Sequence, residues 1–123
     1  FDGGAVVRGS SAPSVVPLPM SDGAAVVPQE ALIASAASCH MLWFLSLAQG
    51  EGLDILSYSD EAEGRLGKDA RGRIAVTRIT LRPQVAFAGA EPPPELLERL
   101  HHEAHERCFI ANSLLSEIVV EPV

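Results

Sequence analysis

The stretch from Pro28 to Gly50, PQEALIASAASCHMLWFLSLAQG, decides the fold of this chain. Pro28 suits the first position of a helix, because its missing N–H would be unpaired there and its fixed φ already matches helical backbone. Gln29 and Glu30 follow in the first turn, where the helix dipole favours a carboxylate. Gly50 is a suitable end, since glycine adopts the left-handed conformation without a Cβ clash. The pattern therefore predicts one helix over Pro28–Gly50.

The predicted helix contains no Lys, Arg or Asp, so we expect it to be buried on most sides. Nearly all of its small polar side chains recur at helical spacing in one stripe, which comprises Ser35, Ser38, Cys39, Leu42, Ser46 and Gln49. A cysteine on the only polar stripe of a buried helix is a candidate reactive site. The alternative is a structural cysteine, because free Cys is commonly buried and behaves as a small hydrophobe.

Length, charge and cysteine content narrow the class of protein. The 123 residues suffice for a hydrophobic core, and we expect a single domain over residues 1–123. The formal net charge of -7 argues against nucleic acid or an anionic membrane as a partner, since both bind basic surfaces. Two cysteines do not make a secreted disulfide scaffold. We find no uninterrupted apolar run of membrane-spanning length and no signal peptide, so we expect a soluble, cytoplasmic protein. Because the sequence begins at Phe1 rather than Met, we also expect further residues upstream.

Elements on either side of the helix indicate an α+β fold. Phe1–Ser10 predicts an edge strand, and Ser11–Val27 contains three prolines and predicts a long loop. Leu53–Leu66 alternates in polarity and Arg73–Phe87 is rich in β-branched residues, so the two runs predict a long antiparallel hairpin. We expect helices packed on a mostly antiparallel sheet.

The C-terminal part of the chain predicts a second helix, a short helical turn and a last strand. The helix runs from Glu95 to about Arg107, the turn is FIANSLL, and the strand is Ile118–Glu121. One face of the helix is apolar in pattern and carries Leu97, Leu100, His101, Ala104, His105 and Cys108. If the two long helices pack together, the sulfurs of Cys39 and Cys108 could meet, which is the arrangement that a two-cysteine peroxidase needs.

A second interpretation of the same face is a metal site. His101, His105 and Cys108 recur at helical spacing, and imidazole and thiolate are ligands for zinc or copper. Cys39 would be a fourth ligand. The simplest alternative is two histidines that hydrogen-bond between the helices, and support of the redox chemistry of Cys108 is another. We expect neither a metal nor another cofactor.

The segments around the two cysteines resemble the OsmC/Ohr family of thiol-dependent peroxidases. The first is SCHMLWFLSLA, which contains Cys39 and follows PQEALIASAA, and the second is HHEAHERCFIANSLL, which contains Cys108. The family pattern is P-E-x-L-x-x-A-x-x-x-C on the first helix and H-x-x-C near the end of the second. This chain matches it with Pro28, Cys39, His105 and Cys108, and with Leu32 at a nearby offset. The likeness covers nearly the whole chain, in order.

The resemblance implies a function and an assembly. Cys39 would be the peroxidatic cysteine that attacks the O–O bond, and Cys108 the resolving cysteine. The substrates would be organic hydroperoxides, and the reductant a dithiol such as a lipoylated protein. The fold would be an obligate, intertwined homodimer with the active sites where the two chains meet. The apolar circumference of the first helix also favours a dimer, because a short chain hardly covers it alone.

The supporting residues depart from the family pattern. The family has a Glu after the helix-opening Pro, where it holds an Arg near the thiolate, whereas this chain has Gln29 and then Glu30. Gln can hydrogen-bond an Arg but cannot pair its charge. Arg8 is the nearest candidate for that Arg, and its position predicts a solvated strand charge instead. His40 follows Cys39 directly, so it lies on another face of the helix. There we expect either a core histidine with its hydrogen bonds made, or a histidine that faces the sheet or the partner chain.

The remaining alternative is not an enzyme. A dimeric binding module would hold a small apolar ligand between the two helices, with Cys39 and Cys108 as passive lining. Such a module would keep its ligand affinity when Cys39 is replaced by Ser, whereas a peroxidase would lose its activity.

Overall fold

The computed structural model describes residues Phe1–Val123 and has an α+β architecture, as predicted. Three helices and five strands follow one another in the order α1 Pro28–Gly50, β1 Ile55–Asp60, β2 Glu63–Lys68, β3 Ile74–Leu81, β4 Pro83–Phe87, α2 Pro94–Arg107, α3 Phe109–Ser113 and β5 Glu117–Val120. The chain divides into two compact units, Phe1–Leu32 and Ile33–Val123.

The first unit is a loop that leads into α1. The edge strand predicted for Phe1–Ser10 is wrong, since the only β pairing there is an isolated parallel bridge between Gly9 and Val26. The Ser10 N–H donates to the Val26 carbonyl at 3.0 Å, and the Val26 N–H donates to the Arg8 carbonyl at 2.9 Å. Two bonds do not make a ladder. The long loop predicted for residues 11–27 is confirmed, because the prolines there remove backbone donors.

Helix α1 has the predicted bounds, but the left-handed residue at its end is not Gly50. Gly52 has φ +73°, the Gly52 N–H donates to the Gln49 carbonyl at 3.0 Å, and the Leu53 N–H donates to the Ala48 carbonyl at 3.0 Å. This pair of bonds is the Schellman arrangement, which requires the glycine two residues beyond the predicted position. At the other end, the Glu30 carboxylate accepts the Val27 N–H at 3.1 Å and caps the first turn.

The hairpin predicted from the middle of the chain is confirmed, although it is divided between two sheets. β2 pairs antiparallel with β3, and β1 pairs antiparallel with β4 further along the same two chain segments. The division falls where Asp60 pairs with Pro83, which has no N–H for a continuous ladder. Arg82, between β3 and β4, donates its backbone N–H to the Asp60 carboxylate at 2.7 Å instead.

The last strand lies beside β3 in the parallel direction. β5 pairs Ile118 with Ile79 and Val120 with Leu81, which extends the second sheet to the order β2-β3-β5. The predicted strand is confirmed with its bounds one residue earlier. The predictions of the second helix and of the short helical turn are also confirmed, as α2 and α3.

Helix α1 is buried along one stripe and not on most sides, which corrects the expectation from composition. Of its 23 residues, the buried ones are Ala36, His40, Phe44 and Ala48. Phe44 and Ala48 pack on Leu100 and Ala104 of α2 to form one core cluster. The opposite stripe of α1, which we call the outer stripe, is exposed and comprises Ala34, Ser38, Leu42, Ser46 and Gln49.

The same helix is long and apolar enough to cross a membrane by length and composition, contrary to the expectation that no run reaches that length. The core helix of a soluble protein also meets this criterion, so the finding is weak evidence for a membrane. The buried stripe of α1 lies in a core cluster with α2, and this packing gives the helix a place in a folded domain.

Candidate functional site

The two cysteines come together at the interface between α1 and the end of α2. Cys39 lies in the middle of α1 and is half-buried, whereas Cys108 caps the junction of α2 and α3 and is 2% exposed. Both are free thiols, and Cys39 is near enough to Cys108 to influence the pKa of its thiol. Cys108 ends the face of α2 that the sequence predicted to be apolar, and Cys39 directly precedes His40 of the buried stripe of α1.

Cys108 is the thiol that holds its proton more firmly than usual. Burial raises the pKa of the Cys108 thiol, and the hydrogen bond and charge of Cys39 raise it further. The backbone N–H of Ala111 donates to the Cys108 sulfur at 3.4 Å and acts in the opposite direction. A buried, protonated sulfur next to a more accessible one gives the two thiols different chemical environments.

An aromatic and cationic group lies beside the thiols. Trp43 is one helical turn after Cys39, and its ring meets Phe109 edge-on with a centroid distance of 5.7 Å. The Arg107 guanidinium lies over the Trp43 ring at 5.7 Å, which is within the range of a cation–π contact. None of these three residues is among the site residues predicted from the sequence. The spacing of Trp43 from Cys39 and the position of Phe109 directly after Cys108 were the available signals.

Three histidines occupy the neighbouring part of the helix interface. His40 Nε2 and His101 Nδ1 are 3.0 Å apart and buried, and His101 also stacks on Phe44 with a centroid distance of 4.2 Å. Burial lowers the pKa of His40 to about 4, with the charges of His101 and His105 as smaller causes, and burial lowers the pKa of His101 to about 4. The interpretation of hydrogen-bonded histidines between the helices thus holds for His101, whose partner is His40.

His105 does not share that arrangement. The Nδ1 atoms of His105 and His40 are both buried and have no hydrogen-bond partner. The backbone carbonyl of His105 accepts the Cys108 N–H at 3.3 Å. No group of three His, Cys, Asp or Glu side chains is arranged to hold a metal ion, so the structure gives the metal interpretation no ligand set.

The other predicted supporting residues belong to the first unit. Gln29 is half-buried in the first turn of α1, and the Glu30 carboxylate is used to cap that turn. Arg8 is exposed and pairs with the Asp22 carboxylate, which agrees with the prediction of a solvated charge. The Glu30 carboxylate, which follows Gln29 in the sequence, therefore caps the N-terminal end of α1.

A cavity lies on the other side of α2. It has a volume of about 440 Å³ and lies between α2, β4 and the end of the chain, with neither cysteine in its lining. The space between α1 and α2, where a binding module was expected to hold its ligand, is filled by Phe44, Ala48, Leu100 and Ala104. The structure thus corrects the position of any ligand site.

An α+β fold with two thiols in contact between its helices defines a class of thiol-bearing proteins, and sequence comparison identifies the family. The sequence model described as OsmC-like protein matches residues 21–123. The chain belongs to the OsmC family, and the resemblance drawn from its cysteine segments is confirmed. No curated protein matches the sequence significantly.

Solved structures with the same fold include one of substantial sequence identity. An OsmC-like protein of unknown function from Vibrio cholerae is 49% identical with a TM-score of 0.96, and the match covers 100% of this chain and 80% of that one. The organic hydroperoxide resistance protein OhrB of Bacillus subtilis is 20% identical with a TM-score of 0.67, and the match covers 80% of this chain and 71% of that one.

A third structure extends the fold comparison. An organic hydroperoxide resistance protein from Elizabethkingia anophelis is 13% identical with a TM-score of 0.74, over 98% of this chain and 81% of that one. At these low identities, the second and third structures establish the fold alone. The protein from V. cholerae is the one of the three whose sequence is also similar.

Proposed function

We propose that this protein is a thiol-dependent peroxidase that reduces organic hydroperoxides. The observation that carries the proposal is the proximity of the Cys39 and Cys108 thiols in a chain of the OsmC family. Two proteins of the same fold are named organic hydroperoxide resistance proteins, and their names support the substrate class.

Cys39 is the peroxidatic cysteine in this proposal. It is the more accessible of the two sulfurs, since Cys108 is only 2% exposed. The thiolate of Cys39 attacks the terminal oxygen of the hydroperoxide, so an S–O bond forms as the O–O bond breaks. The alkoxide takes a proton and leaves as the alcohol, and Cys39 remains as a sulfenic acid.

Cys108 is the resolving cysteine. Its sulfur attacks the sulfenic sulfur of Cys39, so an S–S bond forms, and the departing hydroxide takes the Cys108 proton to leave as water. Because the pKa of Cys108 is raised, this thiol keeps its proton while Cys39 reacts first. The contact between the sulfurs then favours a disulfide over further oxidation of Cys39.

An external dithiol completes the cycle. One of its sulfurs attacks the disulfide, and its second sulfur releases the resulting mixed disulfide, which returns both protein thiols to the reduced form. A lipoylated protein is the proposed source of the dithiol, as the family resemblance implies. The reaction consumes thiols and peroxide alone and requires no cofactor.

The proposed assembly is a cytoplasmic homodimer. The outer stripe of α1 leaves Leu42 62% exposed in a helix without a basic residue, and a second chain would remove that surface from water. The net charge of -7 gives no basis for nucleic acid or an anionic membrane as a partner.

Four residues support the thiols in this proposal. His105 provides the carbonyl that holds the Cys108 backbone, and His40 follows Cys39 into the buried interface with α2. Gln29 stands where the family has a Glu, and Glu30 caps the helix that carries Cys39. Since Gln29 cannot pair the charge of an arginine, we expect peroxide attack to be slower than in relatives with Glu at that position.

The test is mass spectrometry of the wild-type protein after limiting cumene hydroperoxide. We expect a disulfide between Cys39 and Cys108 within one chain and one equivalent of cumyl alcohol for each disulfide formed. Recovery of both free thiols with the peroxide unconsumed would contradict the enzyme and leave the non-enzymatic binding module as the function.

A further inference from the structure

The cavity behind α2 has one wall from strands and one from a helix. Alternate residues of β4 point the same way, so Pro83, Val85 and Phe87 form an apolar strand wall together with Ile118 and Val120 of β5. The helix wall is one face of α2 and carries Leu97, Glu98, His101, His102 and His105. Both walls are built on regular elements, which fixes the shape of the cavity.

The size and lining of the cavity suit a small organic molecule. Its volume of about 440 Å³ falls within the range of pockets that hold such ligands. Apolar side chains form most of the lining, and the polar side chains, apart from Glu91, come from α2. A molecule with an apolar body and one polar end would match this distribution.

Histidines of α2 provide hydrogen-bonding groups at the cavity. His102 and His105 line its helix wall. An imidazole nitrogen can donate or accept a hydrogen bond, depending on the tautomer of the ring. A hydroxyl group can also donate or accept, and therefore suits either tautomer.

Acidic side chains select the charge of the ligand. Glu91 and Glu98 line the cavity and are exposed, and the whole chain carries a net charge of -7. No Lys or Arg lines the cavity. A carboxylate in the cavity would be repelled by the two glutamates and would find no fixed cation.

We infer that this cavity is a binding site for a small, uncharged amphipathic molecule with a hydroxyl head. The apolar body lies against Val85, Phe87 and Val120, and the hydroxyl group hydrogen-bonds the imidazole of His105. Since neither cysteine lines the cavity, the bound molecule does not contact the thiols. The site is thus separate from the proposed peroxidase chemistry, and the inference does not depend on that chemistry.

Titration of the reduced, full-length protein with 1-octanol and with sodium octanoate tests this inference. By calorimetry, we expect 1-octanol to bind with one site per chain and octanoate to bind at least tenfold more weakly. Val120→Trp fills the cavity and should abolish octanol binding, whereas Ile74→Trp adds the same ring at an exposed strand position and should leave it unchanged.

Variants of His105 test the polar end of the ligand. His105→Leu should weaken 1-octanol about tenfold, and His105→Gln, which keeps a hydrogen-bonding group, should weaken it less. Absence of octanol binding to the wild type, equal binding of octanoate, or unchanged affinity in His105→Leu would overturn the inference. A protein that binds octanol in this way but consumes no peroxide would support the cavity site and contradict only the peroxidase.

Discussion

The pair of His40 and His101 places two ionisable rings where charge is unfavourable. The nitrogens that face each other are 3.0 Å apart, so one of them donates a hydrogen bond and the other accepts it. This bond requires that only one of the two facing nitrogens carries a proton. The groups that act on His40 are His101 and His105, and both would repel its charged form. Protonation of the accepting nitrogen therefore removes the hydrogen bond and adds a buried charge.

Stability should accordingly fall as the pH is lowered. Both histidines have a pKa of about 4 in the folded protein, below the ordinary value of 6.5, so the unfolded chain binds more protons between these values. The stabilisation is complete above pH 6.5 and is lost toward pH 4. From pH 7 to pH 5 we expect a loss of about 4 kcal/mol for the pair, measured by urea unfolding.

A third histidine provides the control for this pH dependence. His102 is exposed and pairs with Glu106 at 3.3 Å on the surface of α2, so His102→Gln should leave the loss of stability unchanged. Equal free energies of unfolding at pH 7 and pH 5 in the wild type would contradict the prediction.

Single substitutions at the two cysteines should have different effects. Cys39→Ser leaves Cys108 as a buried thiol with a raised pKa, so we expect peroxide consumption to disappear. Cys108→Ser should reduce one equivalent of cumene hydroperoxide and then stop, with sulfinic acid accumulating on Cys39. Mass spectrometry and peroxide consumption measure both results. Equal behaviour of the two variants would rule out the assigned order of reaction.

The contact between α1 and β2 depends on the absence of a side chain at Gly64. A Cβ atom there would lie 2.5 Å from Cδ1 of Ile33, so the helix residue occupies the space above the strand. We expect Gly64→Val to destabilise the protein by about 1–3 kcal/mol, because Ile33 must leave its position. The measurement is the midpoint of urea unfolding.

A double variant identifies the cause of that destabilisation. Ile33→Ala removes the clashing atom, so its combination with Gly64→Val should cost less than the sum of the two single changes. Gly50→Ala is a matched control, since a Cβ at Gly50 meets no atom within 4 Å. Additive costs for the Ile33 and Gly64 changes would show that the two residues do not compete for space.

Helices of this protein were predictable because the relevant signals are local. Pro28 and the apolar run that follows determine α1, and the faces of α2 follow from spacing alone, so the meeting of Cys39 and Cys108 could be anticipated. The left-handed residue after α1 is Gly52 and not the predicted Gly50. The choice between two nearby glycines depends on which helix carbonyls need hydrogen-bond partners, and the sequence does not show this.

Features that depend on distant parts of the chain were not predictable in the same way. Phe1–Ser10 has strand-like composition, but only an isolated bridge at Gly9 forms, because a strand needs a paired neighbour. The parallel placement of β5 beside β3 and the cavity in front of His105 arise from tertiary packing. The contact between Arg107 and Trp43 likewise joins two helices, and no periodic pattern in the sequence indicates it.

The assembled protein should be a dimer through the outer stripe of α1. Leu42 lies at the middle of this stripe and is 62% exposed in the single chain. We expect a dimeric mass at micromolar concentration in analytical ultracentrifugation, with more than about 2,000 Å² buried in total. Leu42→Glu should dissociate or precipitate the dimer, because it places a charge in an apolar contact.

A leucine outside the helix serves as the comparison. Leu115 is 96% exposed, so Leu115→Glu should leave the dimeric mass unchanged. A monomeric wild-type protein at micromolar concentration would contradict the proposed assembly. Dissociation by both substitutions would mean that the effect of Leu42→Glu arises from added charge in general.

Trp43 gives this protein an optical signal of its own. It is the only tryptophan in the chain, it follows Cys39 by one helical turn, and its ring contacts Phe109, the neighbour of Cys108. A disulfide accepts an electron from excited indole more readily than two thiols do, so its formation should quench the emission. We expect fluorescence to fall on addition of one equivalent of hydroperoxide and to recover with dithiothreitol, whereas Cys108→Ser should show no such cycle. Unchanged emission in a sample whose disulfide is verified by mass would contradict this expectation. If the signal behaves as expected, rapid mixing can time each turnover in unlabelled protein.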